Sequence, residues 1–233
     1  MLRRFEMYSV AGGDRDPKVR RLAEAFSTCG QFIPEVLHSA VGWNLSPAPL
    51  QLVWEHAYAS PEAYRRYMVH PFHAAVLDRY LLADSPERVV TDNDLGAGLV
   101  GYSCDGPTFV LACGVRRLVL LQVDRAASEA EVGRAAEVLE SVPRATPAMA
   151  LSVVGANTMG RAWFDGVTPM PGSARWSHVW EQGFESLDAL RSYLVSDTDV
   201  ASAERENFSN WRGGLVTGSV SVHYQMLVSD RPR

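Results

Sequence analysis

Hydrophobic and polar positions along this chain alternate in blocks that predict strands and helices in a fixed order, and this order occurs twice. Each copy is predicted as strand, helix, strand, strand, helix and strand, from period-two segments and from apolar positions three or four residues apart. The ranges that carry the pattern are 4–10, 17–27, 36–45 and 50–59 in the first half, and 117–123 and 128–139 in the second. Ser60, Pro61 and Glu62 provide a hydroxyl cap, a proline and an acid, which predicts a further helix start.

The two copies are related by constant spacing in the sequence. Pairs of identical residues 113 positions apart are Glu24 and Glu137, Pro34 and Pro147, Ser39 and Ser152, Gly42 and Gly155, and Asn44 and Asn157. Pairs 126 positions apart follow further on, with Val53-Trp54-Glu55 matching Val179-Trp180-Glu181, Ser60 matching Ser186, and Tyr67 matching Tyr193. The change of offset predicts a 13-residue insertion in the second copy near 160–175, a segment that also holds Trp163 and Phe164.

This duplication predicts an α+β fold of two ferredoxin-like repeats, residues 1–113 and 114–233. One four-stranded sheet with helices on a single face leaves its other face bare, so the two sheets are expected to pack together. The expected product is a fused pseudo-dimeric α/β barrel within one chain, with a higher oligomer left open. The fourth strand of the first repeat is ambiguous, because 88–92 and 99–104 both have strand character.

Composition narrows the classes of partner. The chain has 233 residues, 47% hydrophobic and 21% charged, with a net charge of −5 and no basic cluster. Nucleic acid and anionic membrane surfaces are therefore disfavoured. The apolar runs have the length of strands, and the N-terminal segment lacks the apolar core of a signal peptide, so we expect a cytoplasmic protein. The three cysteines show no metal-ligand or disulfide spacing.

The most distinctive segment runs from Tyr67 through His70 and Pro71 to His73. Proline is tolerated at the first position of a helix, so one helix should end at His70 and a second should begin at Pro71, with His73 in its first turn. The positive helix end favours a neutral imidazole, which predicts His73 as a proton acceptor and Tyr67 as a hydrogen-bond donor to a substrate oxygen. The alternative is that His70 caps a helix and His73 packs against the sheet edge.

Alternation along the third predicted strand places Trp54, His56 and Tyr58 on one face, where they would wall an aromatic pocket. The alternative is that Trp54 and Tyr58 simply belong to the core. Arg4 on the first strand would be a counter-ion for a carboxylate or enolate, or else a surface arginine.

The strand that ends at Ser60 and the Y-x-x-H-P-x-H run after it resemble the stress-responsive dimeric A/B barrel (Dabb) family. The resemblance extends through both copies, and it implies a ferredoxin-like fold that usually dimerises. It also implies cofactor-free chemistry of the olivetolic acid cyclase type, with Tyr67 and His73 as the catalytic pair. Two further pocket histidines of the cyclase pattern fall on Arg4 and Leu52, where this chain departs from the pattern.

The second copy departs in a complementary way. It retains Tyr193 and Arg117, and His178 stands where the resemblance implies a third-strand histidine. At the position of His73 it has Asp199, and an exposed carboxylate is a weak base. We therefore expect the second copy to have lost function.

Metal binding and cofactor-dependent chemistry are not supported by the sequence. No carboxylate stands at ligand spacing beside His56, His70 and His73, and no phosphate-binding or dinucleotide motif occurs. The leading hypothesis is a cofactor-independent cyclase, lyase or isomerase acting on a small aromatic or polyketide-like carbonyl compound. The alternatives are a non-catalytic barrel that binds a small ligand and a cofactor-free monooxygenase of a related fold.

Overall fold

The computed structural model describes residues 1–91, 98–104, 114–145, 148–159, 175–195 and 215–229. The strands of the first half are β1 (Leu2–Tyr8), β2 (Val36–Asn44), β3 (Leu52–Tyr58) and β4 (Leu99–Ser103), and those of the second are β5 (Val115–Val123), β6 (Met149–Ala156), β7 (His178–Phe184) and β8 (Val216–Ser229). The α-helices are α1 (Pro17–Phe32), α2 (Pro61–Met68), α3 (Asp78–Leu81), α4 (Glu129–Ala145) and α5 (Leu187–Val195). A short 3-10 helix spans Gly13–Arg15, and a π-helical turn spans His73–Leu77.

The strands form one eight-stranded sheet in the order β4-β1-β3-β2-β8-β5-β7-β6, with every pairing antiparallel. In each half the four strands lie in the order fourth, first, third and second. This arrangement confirms two ferredoxin-like repeats fused into a pseudo-dimeric α/β barrel. The ambiguity over the fourth strand is resolved as β4, because Leu99–Ser103 pairs with β1. Val90 forms only an isolated bridge to Val10. The insertion near 160–175 falls almost wholly outside the described residues.

The two seams between the repeats share a glycine–tyrosine contact but differ in strand pairing. At one seam β2 pairs with β8, and at the other Thr158 donates its backbone N–H to the Gly101 carbonyl at 2.8 Å. A glycine lies under a tyrosine at each seam: a Cβ on Gly42 would meet Tyr224 at 2.5 Å, and one on Gly155 would meet Tyr102 at 2.3 Å. Because Gly42 and Gly155 are equivalent in the repeat, the two seams are related by the pseudo-twofold arrangement.

The inner faces of the two half-sheets bury charges as well as apolar groups. Arg3 and Arg116 lie between Glu55 and Glu181, with Arg3 Nη2 2.6 Å from Glu181 Oε1 and Arg116 Nε 3.6 Å from Glu55 Oε2. All four side chains are fully buried. Each glutamate also accepts a tyrosine hydroxyl from the other half, Tyr102 at 2.6 Å for Glu181 and Tyr224 at 2.5 Å for Glu55. This buried charge quartet ties the repeats together across the barrel.

The outer face of the sheet is covered by helices. In the first repeat α1 and α2 pack on Leu52, Trp54 and Tyr58 of β3, while the intervening Val53 faces the barrel interior with Phe5. The alternation expected for β3 therefore places Trp54, His56 and Tyr58 between sheet and helices. No helix within the described ranges is long and apolar enough to cross a membrane.

Candidate active site

Side chains from β1, β3, α2 and the π-helical turn meet between sheet and helices in the first repeat. Arg4 on β1 lies opposite His56 on β3 in the strand register, and α2 brings Tyr67 over the same face. Ser60 accepts a hydrogen bond from the Ala63 N–H at 3.2 Å, so α2 begins where the sequence predicts. The residues that converge are Arg4, Trp54, His56, Tyr58, Tyr67 and His73, and all of them are buried.

The aromatic rings form a continuous ladder across this site. Trp54 stacks on Phe26 and on His56, with ring centroids 4.0 Å apart in both pairs. Tyr58 then meets Tyr67 at 5.1 Å, and Tyr67 meets His73 edge-on at 4.5 Å. The ladder ends at the imidazole of His73, which lies edge-on to Tyr67.

The Tyr67 hydroxyl is the one buried phenol here that lacks a hydrogen-bond partner among the described residues. Burial raises its pKa well above the ordinary value, and the nearby Glu6 raises it further. A buried, unpaired hydroxyl costs roughly 1 to 3 kcal/mol of stability. Such a group suits a donor whose partner is a bound molecule.

His73 lies at the start of the π-helical turn and is 7% exposed. Burial lowers its pKa to about 4, and the positive charge of Arg4 acts in the same direction. The imidazole is therefore neutral at pH 7, but burial rather than the helix end is the principal cause. Its Nδ1 is 3.7 Å from Asp78 Oδ2, a carboxylate at the end of the π-helical turn.

Helix α2 ends at Met68, two residues before the predicted end, and Pro71 opens the following helical segment. His70 lies between them, half-buried, and its Nδ1 accepts the backbone N–H of Phe72 at 3.2 Å. Its imidazole therefore caps the next segment, as the alternative interpretation of this residue states, and a role for His70 in substrate binding stays a prediction.

Glu6 is a site residue that the sequence analysis missed. It shares the face of Arg4, with Arg4 Nη2 3.1 Å from Glu6 Oε1, and it also accepts a hydrogen bond from Tyr8. Burial alone would raise the pKa of Glu6, but Arg4, His56 and Tyr8 outweigh burial and lower that pKa to about 2. Arg4 is thus neither a surface arginine nor an uncommitted counter-ion, because Glu6 balances its charge. Period-two alternation from Arg4 was the signal that could have revealed Glu6.

His56 is held between two oxygen atoms. Its Nε2 lies 3.1 Å from Glu6 Oε1, a contact that is short but poorly aligned, and its Nδ1 is 2.5 Å from the Tyr58 hydroxyl. Burial lowers the pKa of His56 to about 4, which the contact with Glu6 offsets only in part. The ring is therefore neutral at pH 7.

The equivalent site of the second repeat has a different composition. Arg117 donates to Gln182 Oε1 at 2.7 Å, and Gln182 donates to the Tyr193 hydroxyl at 3.4 Å. Gln182 therefore stands where the first repeat has His56, and Val119 stands where it has Glu6. His178 begins β7, four residues or about 13 Å along the strand from Gln182, so the structure does not bring it to this group. Asp199 lies outside the described residues.

A separate cleft of about 600 Å³ lies on the outer surface between α1, β2 and β8, where Arg20, Glu24, Trp43 and Leu227 contribute to its lining. None of the predicted site residues lines it. Over the described part of the chain, no three His, Cys, Asp or Glu side chains are grouped to hold a metal ion.

Comparison with known proteins supports the fold rather than a family. No protein-family model and no curated protein sequence matches the chain. Solved structures that match over nearly the full length include a proposed monooxygenase from Lactobacillus acidophilus, with 10% identity, a TM-score of 0.55, and coverage of 99% of this chain and 96% of that one. An anthrone oxidase-like protein matches with 11% identity and a TM-score of 0.60, covering 98% and 92%. A proposed monooxygenase from Fusobacterium nucleatum matches with 8% identity and a TM-score of 0.59, covering 99% and 94%. The chain therefore shares its overall fold with these proteins.

Proposed function

We propose that the first repeat catalyses cofactor-independent proton transfer at a carbon atom next to the carbonyl group of a small aromatic or polyketide-like compound. The observation that carries this proposal is the buried Tyr67 hydroxyl, which has no partner among the described residues and lies against the ring of His73. A neutral proton acceptor thus stands beside an uncommitted donor at the end of an aromatic ladder.

In the proposed reaction His73 accepts a proton from carbon, and the electron pair of the broken C–H bond passes into an enolate. The Tyr67 O–H donates a hydrogen bond to the oxygen on which negative charge develops. Trp54 and His56, which stack on each other, form with Phe26 behind Trp54 the aromatic wall that orients the substrate ring. The enolate then leads to cyclisation, elimination or isomerisation, and the proton returns from His73. Arg4 contributes less to charge balance than the sequence suggested, since Glu6 is its near partner.

We also propose that the chain belongs to the tandem form of the Dabb family, with repeats at 1–113 and 114–233. In this proposal the first repeat is the active one. Support comes from the Y-x-x-H-P-x-H segment, whose Tyr67 and His73 lie in contact. The second-repeat group of Arg117, Gln182 and Tyr193 has a glutamine where the first has the imidazole of His56.

A cofactor-free monooxygenase or oxidase is the second candidate, favoured by the names of the full-length structural neighbours. Both candidates share the first step, because an enolate can react directly with O₂. With anthrone as the substrate, one O₂ would be consumed per molecule, giving anthraquinone and water. Oxygen uptake therefore separates the two candidates, whereas loss of the proton from carbon is common to both.

The test uses anthrone and related aryl ketones, with exchange of the carbon-bound proton in deuterated water and O₂ uptake measured in parallel. His73→Ala should reduce the exchange rate by on the order of a hundredfold or more, as expected for a lost general base. Tyr67→Phe should reduce it while the melting temperature is maintained or raised, since the buried hydroxyl is unpaired. His178→Ala is the matched control. It also removes a histidine, but from the second repeat, and it should leave the exchange rate unchanged.

The acid limb of kcat/KM should fall with a midpoint near pH 4, because His73 must be unprotonated in the free enzyme. Exchange that survives His73→Ala would contradict the proposal. A non-catalytic barrel would show no rate in any variant, and only a change such as Trp54→Ala would alter ligand affinity.

A further inference from the structure

The positive charge of Arg4 in the first-repeat site is balanced within the protein. Arg4 is paired with Glu6 at 3.1 Å and lies 4.6 Å from the centre of the Tyr64 ring. His56 and His73 are both neutral at pH 7, because burial depresses their pKa values to about 4. One buried cation therefore faces one buried anion, and the Asp78 carboxylate 3.7 Å from His73 adds further negative charge, so the site has no excess positive charge to offer a carboxylate.

The hydrogen-bonding pattern follows from the orientation of His56. Glu6 is ionised, so the ring nitrogen that faces it must carry the proton, which leaves Nδ1 as an acceptor. Tyr58 consequently donates its hydroxyl proton to His56 Nδ1 at 2.5 Å and keeps its oxygen lone pairs for another partner. Tyr67 has an O–H to donate. The site thus presents one acceptor and one donor from neighbouring rings, which is the complement of a phenolic hydroxyl.

We propose that this site takes an uncharged hydroxylated aromatic compound and that Glu6 is the residue that excludes the corresponding carboxylate. The proposal rests on the proposed function, because it names the substrate class of the same site. A carboxylate placed against Arg4 would also lie against Glu6, and like charges repel strongly where water is excluded. A neutral phenol meets no such repulsion and satisfies both Tyr58 and Tyr67.

The first experiment compares 2-naphthol with 2-naphthoate, two probes that share a ring system and differ in charge at pH 7. Binding to the full-length protein is measured by isothermal titration calorimetry. We expect 2-naphthol to bind at least tenfold more tightly than 2-naphthoate. Equal or tighter binding of 2-naphthoate overturns the proposal, and so does binding of neither probe at millimolar concentration.

The second experiment removes the excluding charge. Glu6→Gln leaves Arg4 without its carboxylate and should raise the affinity for 2-naphthoate by tenfold or more relative to 2-naphthol. Glu62→Gln, which removes a carboxylate from the exposed pair with Arg65, is the matched control and should leave the ratio unchanged. Thermal unfolding establishes that Glu6→Gln is folded, and if it is not, the ratio in the unaltered protein decides. An unchanged ratio in folded Glu6→Gln overturns the role of Glu6.

A third variant separates this inference from the proposed reaction. His73→Ala should reduce proton exchange by on the order of a hundredfold or more and leave the ratio of the two affinities as it was. If exchange survives in His73→Ala while the preference for 2-naphthol persists, the reaction is refuted and the inference stands. If exchange depends on His73 but 2-naphthoate binds preferentially, only the inference is refuted.

Discussion

His56 and Gln182 occupy equivalent positions in the two repeats, yet only one of them can take up a proton. Burial keeps His56 neutral down to about pH 4, whereas the same imidazole in an unfolded chain takes up a proton near pH 6.5. Between these pH values the unfolded state binds more protons than the folded state. The free energy of unfolding therefore decreases as the pH falls from 6.5 towards 4. His73 contributes in the same window, and Glu6 contributes below it, from about 4.5 towards 2.

His56→Gln should therefore make the protein less sensitive to acid. Gln182 shows that the second repeat accommodates an amide at this position, bonded to its arginine and tyrosine. The slope of unfolding free energy against pH, measured by chemical denaturation between pH 4.5 and 6, should fall by roughly 1.1 kcal/mol per pH unit, because the unfolded chain binds about 0.8 more protons at this residue than the folded one. A slope identical to that of the unaltered protein would contradict the depressed pKa of His56.

At the scale of secondary-structure elements, a tryptophan–serine hydrogen bond anchors the third strand of each repeat to the second strand. Trp54 Nε1 donates to Ser39 Oγ at 2.8 Å, and Trp180 Nε1 donates to Ser152 Oγ at the same distance. Each serine hydroxyl also donates to a carbonyl of the covering helix, Phe26 for Ser39 and Leu139 for Ser152. Strand, strand and helix are thus fixed through one hydroxyl in each repeat.

Removing either hydroxyl should cost similar free energy. Ser39→Ala leaves the buried indole N–H of Trp54 unpaired, and a loss of roughly 1 to 3 kcal/mol is expected. Ser152→Ala should cost an amount of the same order, which makes the two substitutions controls for each other. Urea unfolding monitored by tryptophan fluorescence measures both. A loss from one variant and none from the other would show that the two anchors are not equivalent.

Secondary-structure elements were predictable where the signal lies within the segment itself. They were not predictable where it depends on pairing with a strand that is distant in the sequence. The alternation in β3 correctly separated Trp54 from Glu55, because side-chain period depends only on the strand itself. Identifying β4 required its pairing with β1, which a single segment does not encode. The pairing of Arg4 with Glu6 was overlooked, although both lie on one face of β1. The π-helical turn after Pro71 has no propensity signal, and it was predicted as an ordinary helix.

At the scale of the whole molecule, the buried charge quartet couples the stability of the two repeats. Glu181→Gln would leave Arg3 and Arg116 with a single carboxylate between them. Breaking a buried pair from one side typically costs about 3 to 5 kcal/mol, since a charge remains without compensation. We expect a loss of this order in chemical denaturation.

The control for this change is Asp188→Asn, which removes a carboxylate from the exposed pair with Arg191. That substitution should alter unfolding by about 0.5 kcal/mol or less, because exposed pairs contribute little. Comparable losses from the two variants would mean that the quartet does not bind the repeats together.

The pairing of β2 with β8 also determines how long β2 stays unpaired while the chain is synthesised on the ribosome. About 170 residues separate the end of β2 from the start of β8. At a translation rate of roughly 5 to 20 residues per second, β8 is synthesised on the order of 10 to 30 s after β2. During that interval the first repeat can fold around its own helices while its open edge can pair with a neighbouring nascent chain. A slower translation rate therefore lengthens the time for which this edge is unpaired.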